Sequence, residues 1–133
     1  MIERAKKNLA DAGLAARCQT IAGSFFESAP PGGDAYQMRH IIHDWTDEQC
    51  LTILGHIRKV IPKTGRLLVI EMVIKPGNTP QPAKWLDLNM LVLPGGRERT
   101  EDEYRELYAK AGFKLERVVP TPTEVSVIEG KPI

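Results

Sequence analysis

RLLVIEMVI, at residues 66–74, is the stretch that decides the fold. Its valines and isoleucines favour an extended strand, because branched side chains pack well on a pleated surface. A strand that is apolar on both faces is typical of a sheet with helices on each side. The stretch is too short to cross a bilayer, and it contains Glu71. We therefore predict a buried central strand that carries one carboxylate.

Strands and helices alternate on the N-terminal side of this strand. Apolar residues recur at helical spacing over residues 2–12, and Gly13 follows them as a helix C-cap. We predict a short strand over residues 18–23 and a buried strand over residues 35–42. The pattern TDEQ at residues 46–49 is a capping box, which predicts the start of a helix.

The C-terminal side continues the alternation. After a proline-rich loop, residues 84–93 predict a helix, and TEDE at residues 100–103 is a second capping box. Residues 113–119 and 125–128 predict two strands with a short connection, which is typical of an antiparallel hairpin. The whole pattern indicates an α/β fold, with a mostly parallel sheet and a C-terminal antiparallel hairpin.

Composition excludes several classes of protein. The net charge of the 133-residue chain is +1, which argues against a nucleic-acid-binding surface. Cys18 and Cys50 lack the spacing of a zinc site or a disulfide framework, and they suit a reducing cytoplasm. Charges within residues 1–9 leave no room for a signal peptide. We expect a soluble, cytoplasmic protein that binds neither nucleic acid nor membrane, and no metal-binding cluster is visible.

Three polar side chains lie where ligands bind in parallel sheets, beyond the carboxyl ends of the strands. His43 and Asp44 directly follow one predicted strand, and Glu71 lies near the end of the next. Histidine is the usual general base at neutral pH, but His43 could equally be a turn residue before a helix. Glu71 is either a buried carboxylate that needs partners or a strand-end residue that reaches solvent.

Other polar segments give weaker signals. GGRERT at residues 95–100 can be interpreted as a solvated lead-in to a helix, which explains Thr100 as a cap but leaves Glu98 unexplained. His40, inside a predicted strand, and His56, on a predicted helix, show no partner. The two PGG stretches do not form GxGxxG, so we reject both as phosphate loops.

Six segments carry a family resemblance: GSFFE at 23–27, GDAY at 33–36, HDWTDE at 43–48, GRLLVIE at 65–71, PGGRERT at 94–100 and AGF at 111–113. In order and spacing they resemble the class I S-adenosylmethionine-dependent small-molecule O-methyltransferases. That family includes plant caffeate-type, acetylserotonin and bacterial polyketide or carotenoid methyltransferases. The resemblance covers essentially the whole chain, and the HDW and GGRERT pair is its most specific part.

The resemblance implies a role for each matched position. His43 matches the catalytic base, and Glu71 and Glu98 match the two acids that flank and orient it. The implied cofactor is S-adenosyl-L-methionine. The residues that match its binding wall are Ser24, Phe25, Arg39 and Trp45. Those that match the acceptor pocket are Asp44, Asn89, Met90 and Leu93. Serine replaces the aspartate that the family commonly has at position 24, and no metal is implied.

The resemblance also implies segments that these residues do not match. The family places a helical dimerisation domain, two strands and a glycine-rich cofactor loop before the matched region. We therefore expect residues 1–133 to be the C-terminal part of a catalytic domain. The expected fold is a partial Rossmann-like methyltransferase fold with its first two strands absent. The resemblance implies a homodimer, and we expect residues 1–133 not to include the dimerisation domain.

The implied activity is transfer of a methyl group from S-adenosylmethionine to a hydroxyl of a small, aromatic molecule. Two rival interpretations stay open. The chain could be a truncated, non-catalytic fragment that only associates with other chains. It could also belong to an enzyme with a different cofactor-dependent activity on the same scaffold, such as decarboxylation or hydroxylation.

Overall fold

A mixed sheet organises the chain in the computed structural model, which describes residues 2–133. Its strands are β1 (Ala35–Arg39), β2 (Arg66–Ile74), β3 (Arg99–Thr100), β4 (Phe113–Pro120) and β5 (Val125–Pro132). The strand order is β1-β2-β5-β4, and the two-residue β3 pairs with the end of β2. The apolar stretch at residues 66–74 is therefore β2, with the predicted bounds, in the interior of the sheet.

The direction of the strands confirms the predicted α/β class. β1 and β3 run parallel to β2, whereas β5 runs antiparallel to both β2 and β4. The C-terminal antiparallel hairpin is thus confirmed. Pairings in the described part of the chain divide evenly between parallel and antiparallel, because β5 returns beside the central strand.

The described chain also has four α-helices, α1 (Ile2–Asp11), α2 (Asp47–Val60), α3 (Pro82–Val92) and α4 (Glu101–Lys110), and a short 3₁₀ helix at Ile42–Asp44. Of the four, α1 has no buried residue. Both predicted capping boxes are present, one between Thr46 and Gln49 and the other between Thr100 and Glu103. Among residues 2–133, no helix is long and apolar enough to span a bilayer.

The hydrophobic core lies between the sheet and the pair α2 and α4. Leu54 and Ile57 of α2 and Tyr108 of α4 are buried against Leu67 and Phe113 of the sheet. Burial of such side chains contributes roughly 1.5–3 kcal/mol each. This core fixes the carboxyl ends of β1 and β2 relative to α2 and α4.

Two predicted strands differ from the structure. Residues 18–23 form no strand, because within the described chain they have no neighbouring strand to complete their backbone hydrogen bonds. The predicted strand over residues 35–42 ends at Arg39, because the backbone of His40 turns into the left-handed region at φ 51°. β1 is also half-exposed rather than buried, since no strand of residues 2–133 pairs with its outer edge.

Candidate active site

The carboxyl ends of β1 and β2 bring His43 and Glu71 together. After His40 the chain turns into the 3₁₀ helix that carries His43. Oε1 of Glu71 accepts hydrogen bonds from the backbone N–H groups of Ile41, at 2.9 Å, and of Ile42, at 3.0 Å. Glu71 is fully buried, so the interpretation that it reaches solvent is wrong. Its carboxylate fixes the backbone immediately before His43.

Glu98 completes a buried histidine–carboxylate cluster. Nδ1 of His43 lies 2.6 Å from Oε1 of Glu98 and 3.4 Å from Oε2 of Glu71. The backbone N–H of Glu98 in turn donates to Oδ1 of Asp87 at 2.9 Å. With two carboxylates beside it, Nδ1 is the ring nitrogen that carries the proton, which leaves Nε2 as an acceptor. Asp87 was not among the residues predicted from the sequence.

The charges of this cluster shift its pKa values. Burial alone favours neutral His43, but the hydrogen bond to Glu98 and the charges of Glu71 and Glu98 together raise the pKa of His43 above its ordinary value. Burial raises the pKa of Glu71 to about 6, against the stabilising charge of His43 and the two backbone N–H groups. The arrangement can therefore accept a proton at Nε2 and stabilise the resulting imidazolium.

Arg99 holds the turn that carries His43. Its fully buried guanidinium donates to the carbonyl oxygens of Ile42 and Trp45, each at 3.2 Å, and to Oδ1 of Asp47 at 2.7 Å. The two carbonyls lie on either side of His43 in the chain. The interpretation of GGRERT as a solvated lead-in is therefore wrong for Glu98 and Arg99, and only Arg97 is half-exposed. The charged sequence around Arg99 does not predict this role, because the groups that accept its hydrogen bonds are distant in sequence.

Replacing Arg99 by Leu should lower the free energy of unfolding by about 2–4 kcal/mol, because two backbone carbonyl oxygens lose their charged donor. The half-exposed carboxylate of Asp47 also loses one of its two arginine partners, which adds little. Arg97→Leu is the matched control, since Arg97 also contacts Asp47, at 2.8 Å, but from a half-exposed position. It should cost about 1 kcal/mol or less. Urea unfolding followed by circular dichroism measures both. Equal losses in the two variants would show that Arg99 does not support this turn.

Gly96 allows the second loop to approach His43 closely. The N–H of Arg97 donates to the carbonyl oxygen of His43 at 2.9 Å, and the N–H of Gly96 donates to that of Met90 at 3.1 Å. A Cβ atom on Gly96 would collide with the His43 carbonyl oxygen. The absence of a side chain at position 96 is therefore what lets Glu98 reach the histidine ring.

We expect Gly96→Ala to destabilise the protein by about 1–3 kcal/mol, because the two backbones must separate. Gly55→Ala is the control: Gly55 lies within α2, and a Cβ there meets nothing within 4 Å. That change should stabilise the helix by about 0.5–1 kcal/mol. The midpoints of urea unfolding compare the two, and a Gly96→Ala protein as stable as the parent would contradict the close approach.

Two further histidines do have partners. Nδ1 of His40 lies 3.6 Å from Oε2 of Glu71, and the rings of His40 and His43 have centroids 5.3 Å apart. His40 lies beyond the end of β1, so its predicted place inside a strand is wrong. Nε2 of His56 lies 3.0 Å from the carbonyl oxygen of Phe26, where a hydrogen bond joins α2 to the preceding loop. The turn at His40 has no sequence signature, and this concealed its proximity to His43.

Of the residues assigned to the cofactor, three lie near one another. Phe25 and Trp45 pack edge to face with ring centroids 6.0 Å apart, and the Ser24 hydroxyl accepts from the N–H of Phe26 at 3.2 Å. Trp45 Nε1 is buried, and no acceptor contacts it within the described chain. Arg39 is exposed at the carboxyl end of β1.

A cavity of about 590 Å³ lies beside these residues. It is mostly apolar and is lined by Ser24, Phe25 and the side chains of β1 and α2 that face them. Its volume is typical of small-molecule sites, and an apolar slot beside an exposed aromatic ring suits a planar heterocycle. The residues present therefore fit the adenine end of a nucleoside cofactor. Of the four assigned residues, Arg39 and Trp45 lie outside the lining of this cavity as far as residues 2–133 define it.

The four residues assigned to the acceptor are placed differently from one another. Asp44 is half-exposed, with Oδ1 3.5 Å from Nε2 of His43. Asn89 is exposed and lines a second cavity beside Trp85. Met90 is buried, and its carbonyl oxygen accepts hydrogen bonds from the N–H groups of Gly95 and Gly96. Leu93 is 78% exposed after the end of α3. Only Asp44 directly faces the histidine ring.

Comparison with known proteins shows the family to which the chain belongs. A family model described as an O-methyltransferase domain matches residues 1–114. The phenazine O-methyltransferase PhzM of Lysobacter antibioticus is 46% identical over 131 residues, which cover 98% of this chain and 38% of that protein. The mitomycin biosynthesis 6-O-methyltransferase of Streptomyces lavendulae is 40% identical over 121 residues, covering 89% of this chain and 34% of its own length.

Solved structures of O-methyltransferases superpose on the chain. The structure of LaPhzM superposes with a TM-score of 0.95 at 45% identity, covering 99% of this chain and 40% of that one. The O-methyltransferase NcsB1, solved with S-adenosylmethionine and 2-hydroxy-5-methyl naphthoic acid, superposes at 0.88 with 33% identity and covers 99% of this chain and 38% of its own. The chain thus spans about two fifths of the length of these relatives. It belongs to the O-methyltransferase domain family.

Proposed function

We propose that this chain is the C-terminal part of the catalytic domain of an S-adenosylmethionine-dependent O-methyltransferase, and that it carries the catalytic base, His43. The observation that supports this most is the 2.6 Å contact between Nδ1 of His43 and Glu98, with Glu71 3.4 Å away, in a buried cluster at the carboxyl edge of the sheet. Two carboxylates around one imidazole favour protonation of its other nitrogen.

His43 removes the acceptor proton in this proposal. A phenol has a pKa near 10 and is mostly protonated at neutral pH, so a base at its oxygen generates the nucleophile. Nε2 of His43 takes the proton, while Glu98 keeps the proton on Nδ1. The charges of Glu71 and Glu98 stabilise the imidazolium that forms. A positioned base of this kind contributes roughly 10²–10⁴-fold to the rate.

Bound S-adenosylmethionine supplies a sulfonium methyl group as the electrophile. Ser24 and Phe25 would hold its adenine end at the apolar cavity, where the ring of Trp45 packs edge to face on Phe25. Arg39, at the end of β1, would contact the polar part of the cofactor. The remaining contacts would come from chain segments at the open outer edge of β1, where the described residues supply no strand.

The acceptor is a hydroxyl of a small, aromatic molecule. Asp44 lies at the mouth of the cluster beside Nε2 of His43, where it can orient the acceptor. Asn89, Met90 and Leu93 line the acceptor pocket in this proposal. The names of the relatives, which refer to phenazine, mitomycin and a naphthoic acid, support an aromatic acceptor. We also propose that the complete protein is a homodimer.

A second candidate function is association without catalysis. The unpaired outer edge of β1 favours it, because open strand edges pair readily with other chains. In that case the histidine cluster would have only a structural role, and it would take no proton from an acceptor.

A chimera distinguishes the two candidates. In it, this chain replaces the matching segment of the Lysobacter antibioticus phenazine enzyme, with which it shares 46% identity. The rest of that enzyme supplies the segments outside the match. We expect the chimera to transfer labelled methyl groups from S-adenosylmethionine to the acceptor of the phenazine enzyme. A folded chimera that binds the cofactor but transfers no methyl group would support association alone.

The pH dependence of the chimera should reveal the influence of Glu98. Neutral His43 is the active form, so kcat/KM should rise with pH through the pKa of His43, which the cluster raises above its ordinary value. Glu98→Gln removes one negative charge, so the pKa falls and the rise in kcat/KM moves to lower pH. The maximal rate should also fall. A profile with an unchanged midpoint in the Gln variant would show that Glu98 does not act on the base.

A further inference from the structure

We propose that His40, His43 and Glu71 form a binding site for a transition-metal ion such as Zn²⁺, and that the ion inhibits the enzyme by occupying the base. The inhibitory part rests on the proposed function of His43, whereas the binding site itself does not. The proposed methyl transfer uses no metal, so the bound ion is an inhibitor and not a cofactor.

Two of the three distances between the donor atoms already match those around a metal ion. Oε2 of Glu71 lies 3.6 Å from Nδ1 of His40 and 3.4 Å from Nδ1 of His43. Each of the three residues offers one donor atom within 4.8 Å of the other two. With metal–ligand bonds of about 2.0–2.2 Å, two ligands of a tetrahedral Zn²⁺ ion lie roughly 3.3–3.5 Å apart. The cluster therefore needs little movement to enclose an ion.

One of these donors has no other partner. Oε1 of Glu71 accepts two backbone hydrogen bonds, but Oε2 is fully buried and accepts none from the described residues. A buried carboxylate oxygen without a partner is costly, and a cation satisfies it. The unsatisfied atom is the one that faces both imidazole rings.

His40 gives the ion a route from solvent. Its side chain is 38% exposed, whereas those of His43 and Glu71 are buried. Its left-handed backbone, at φ 51°, turns the chain so that the ring lies beside that of His43. Glu98 and Asp44 add negative charge around the cluster, which is partly opposed by Arg39, next in sequence to His40.

The donor set selects the kind of ion. Two imidazole nitrogens and one carboxylate oxygen suit Zn²⁺ and neighbouring transition metals, whereas Mg²⁺ and Ca²⁺ prefer oxygen ligands throughout. Three protein ligands leave a further position for water.

Occupation of the site and catalysis exclude one another. An ion on Nδ1 of His43 takes the place of the proton that this nitrogen shares with Glu98. The single proton of the neutral ring then resides on Nε2, so Nε2 has no lone pair with which to accept the acceptor proton. The ion thus blocks the base without contacting the acceptor.

Titration of the 133-residue chain with Co²⁺ tests the site directly, because tetrahedral Co²⁺ has a visible ligand-field band. We expect one ion to bind with a Kd on the order of micromolar. His40→Asn should weaken binding by at least about tenfold while tolerating the positive φ. His56→Asn is the matched control and should bind as the parent does. Circular dichroism verifies that each variant is folded.

Absence of a band from the folded parent chain, or equal affinity in His40→Asn, would overturn the site. Inhibition is measured separately, in the chimera described above. Zn²⁺ should abolish methyl transfer by the parent chimera, and the His40→Asn chimera should keep its activity at the same Zn²⁺ concentration. Binding without inhibition would refute the regulatory part alone. Co²⁺ binding is measured without methyl transfer, so the two proposals can fail separately. A chimera without activity would count against the proposed function, whereas the Co²⁺ titration alone decides whether the metal site exists.

Discussion

His43→Ala should lower kcat of the chimera by about a hundredfold or more, because the acceptor then loses its general base. The affinity for S-adenosylhomocysteine should stay within about twofold, since the described side-chain contacts of His43 are with His40, Glu71, Glu98 and Asp44 and not with the residues around the adenine cavity. Steady-state kinetics and isothermal titration measure the two quantities on the same preparation.

A matched control comes from the same chain. His56→Gln also removes an imidazole, but on α2, where the glutamine amide can still reach the carbonyl oxygen of Phe26. Its kcat should lie within about twofold of the parent value, as expected for a residue that makes no contact with the reacting groups. Similar losses in both variants would indicate a general effect on folding and not the loss of a base.

The isolated 133-residue chain should bind S-adenosylhomocysteine at least about a thousandfold more weakly than the chimera does. In the proposed function it contains one wall of the cofactor site, and no GxGxxG-like stretch occurs in its sequence. Each oriented hydrogen bond that is lost costs about 0.5–1.5 kcal/mol, and more where a charge is involved. Several such losses amount to orders of magnitude in affinity.

Isothermal titration of the purified chain with S-adenosylhomocysteine makes this comparison. Analytical ultracentrifugation in the same buffer establishes whether the chain is a monomer, because the open edge of β1 can recruit a second copy. Micromolar binding by a monomeric chain would show that residues 1–133 build the site without other segments, and the proposal would then be wrong.

Local sequence signals predicted most of the fold. The apolar run of β2 is rich in branched residues, so its bounds followed from composition alone. Both capping boxes depend on residues three positions apart, and both formed as predicted. Features that depend on residues close together in sequence can be predicted from the sequence, because distant contacts are not needed to form them.

Features that depend on distant partners were less accessible. Residues 18–23 have strand-like composition, but a strand needs a partner that these residues lack in the described chain. Arg99 resembles its exposed neighbour Arg97 in sequence, yet it is buried because Asp47 and two carbonyls face it. The cluster of His43 with Glu71 and Glu98 followed from the resemblance; of these three, the residues alone gave His43 and Glu71 as candidates but not Glu98.

His40 shows the limit most clearly. The sequence pattern predicts a strand over residues 35–42 that includes His40. In a strand, successive side chains point to opposite faces, so this prediction does not bring His40 beside His43. A single backbone turn at φ 51° instead brings it beside His43 and Glu71. No spacing rule in the sequence encodes that turn, so the metal site proposed here could come only from the structure.

The central claim, that His43 removes the proton of the acceptor, is tested most directly by changing the acceptor and not the enzyme. The measurement is the ratio of kcat for the parent chimera to kcat for its His43→Ala variant, with one phenolic acceptor of pKa near 10 and one of pKa near 6. The second acceptor is already ionised at neutral pH and needs no base. We predict a ratio of about a hundred or more for the first acceptor and a ratio near one for the second. Equal ratios for the two acceptors would contradict the assignment of His43 as the base.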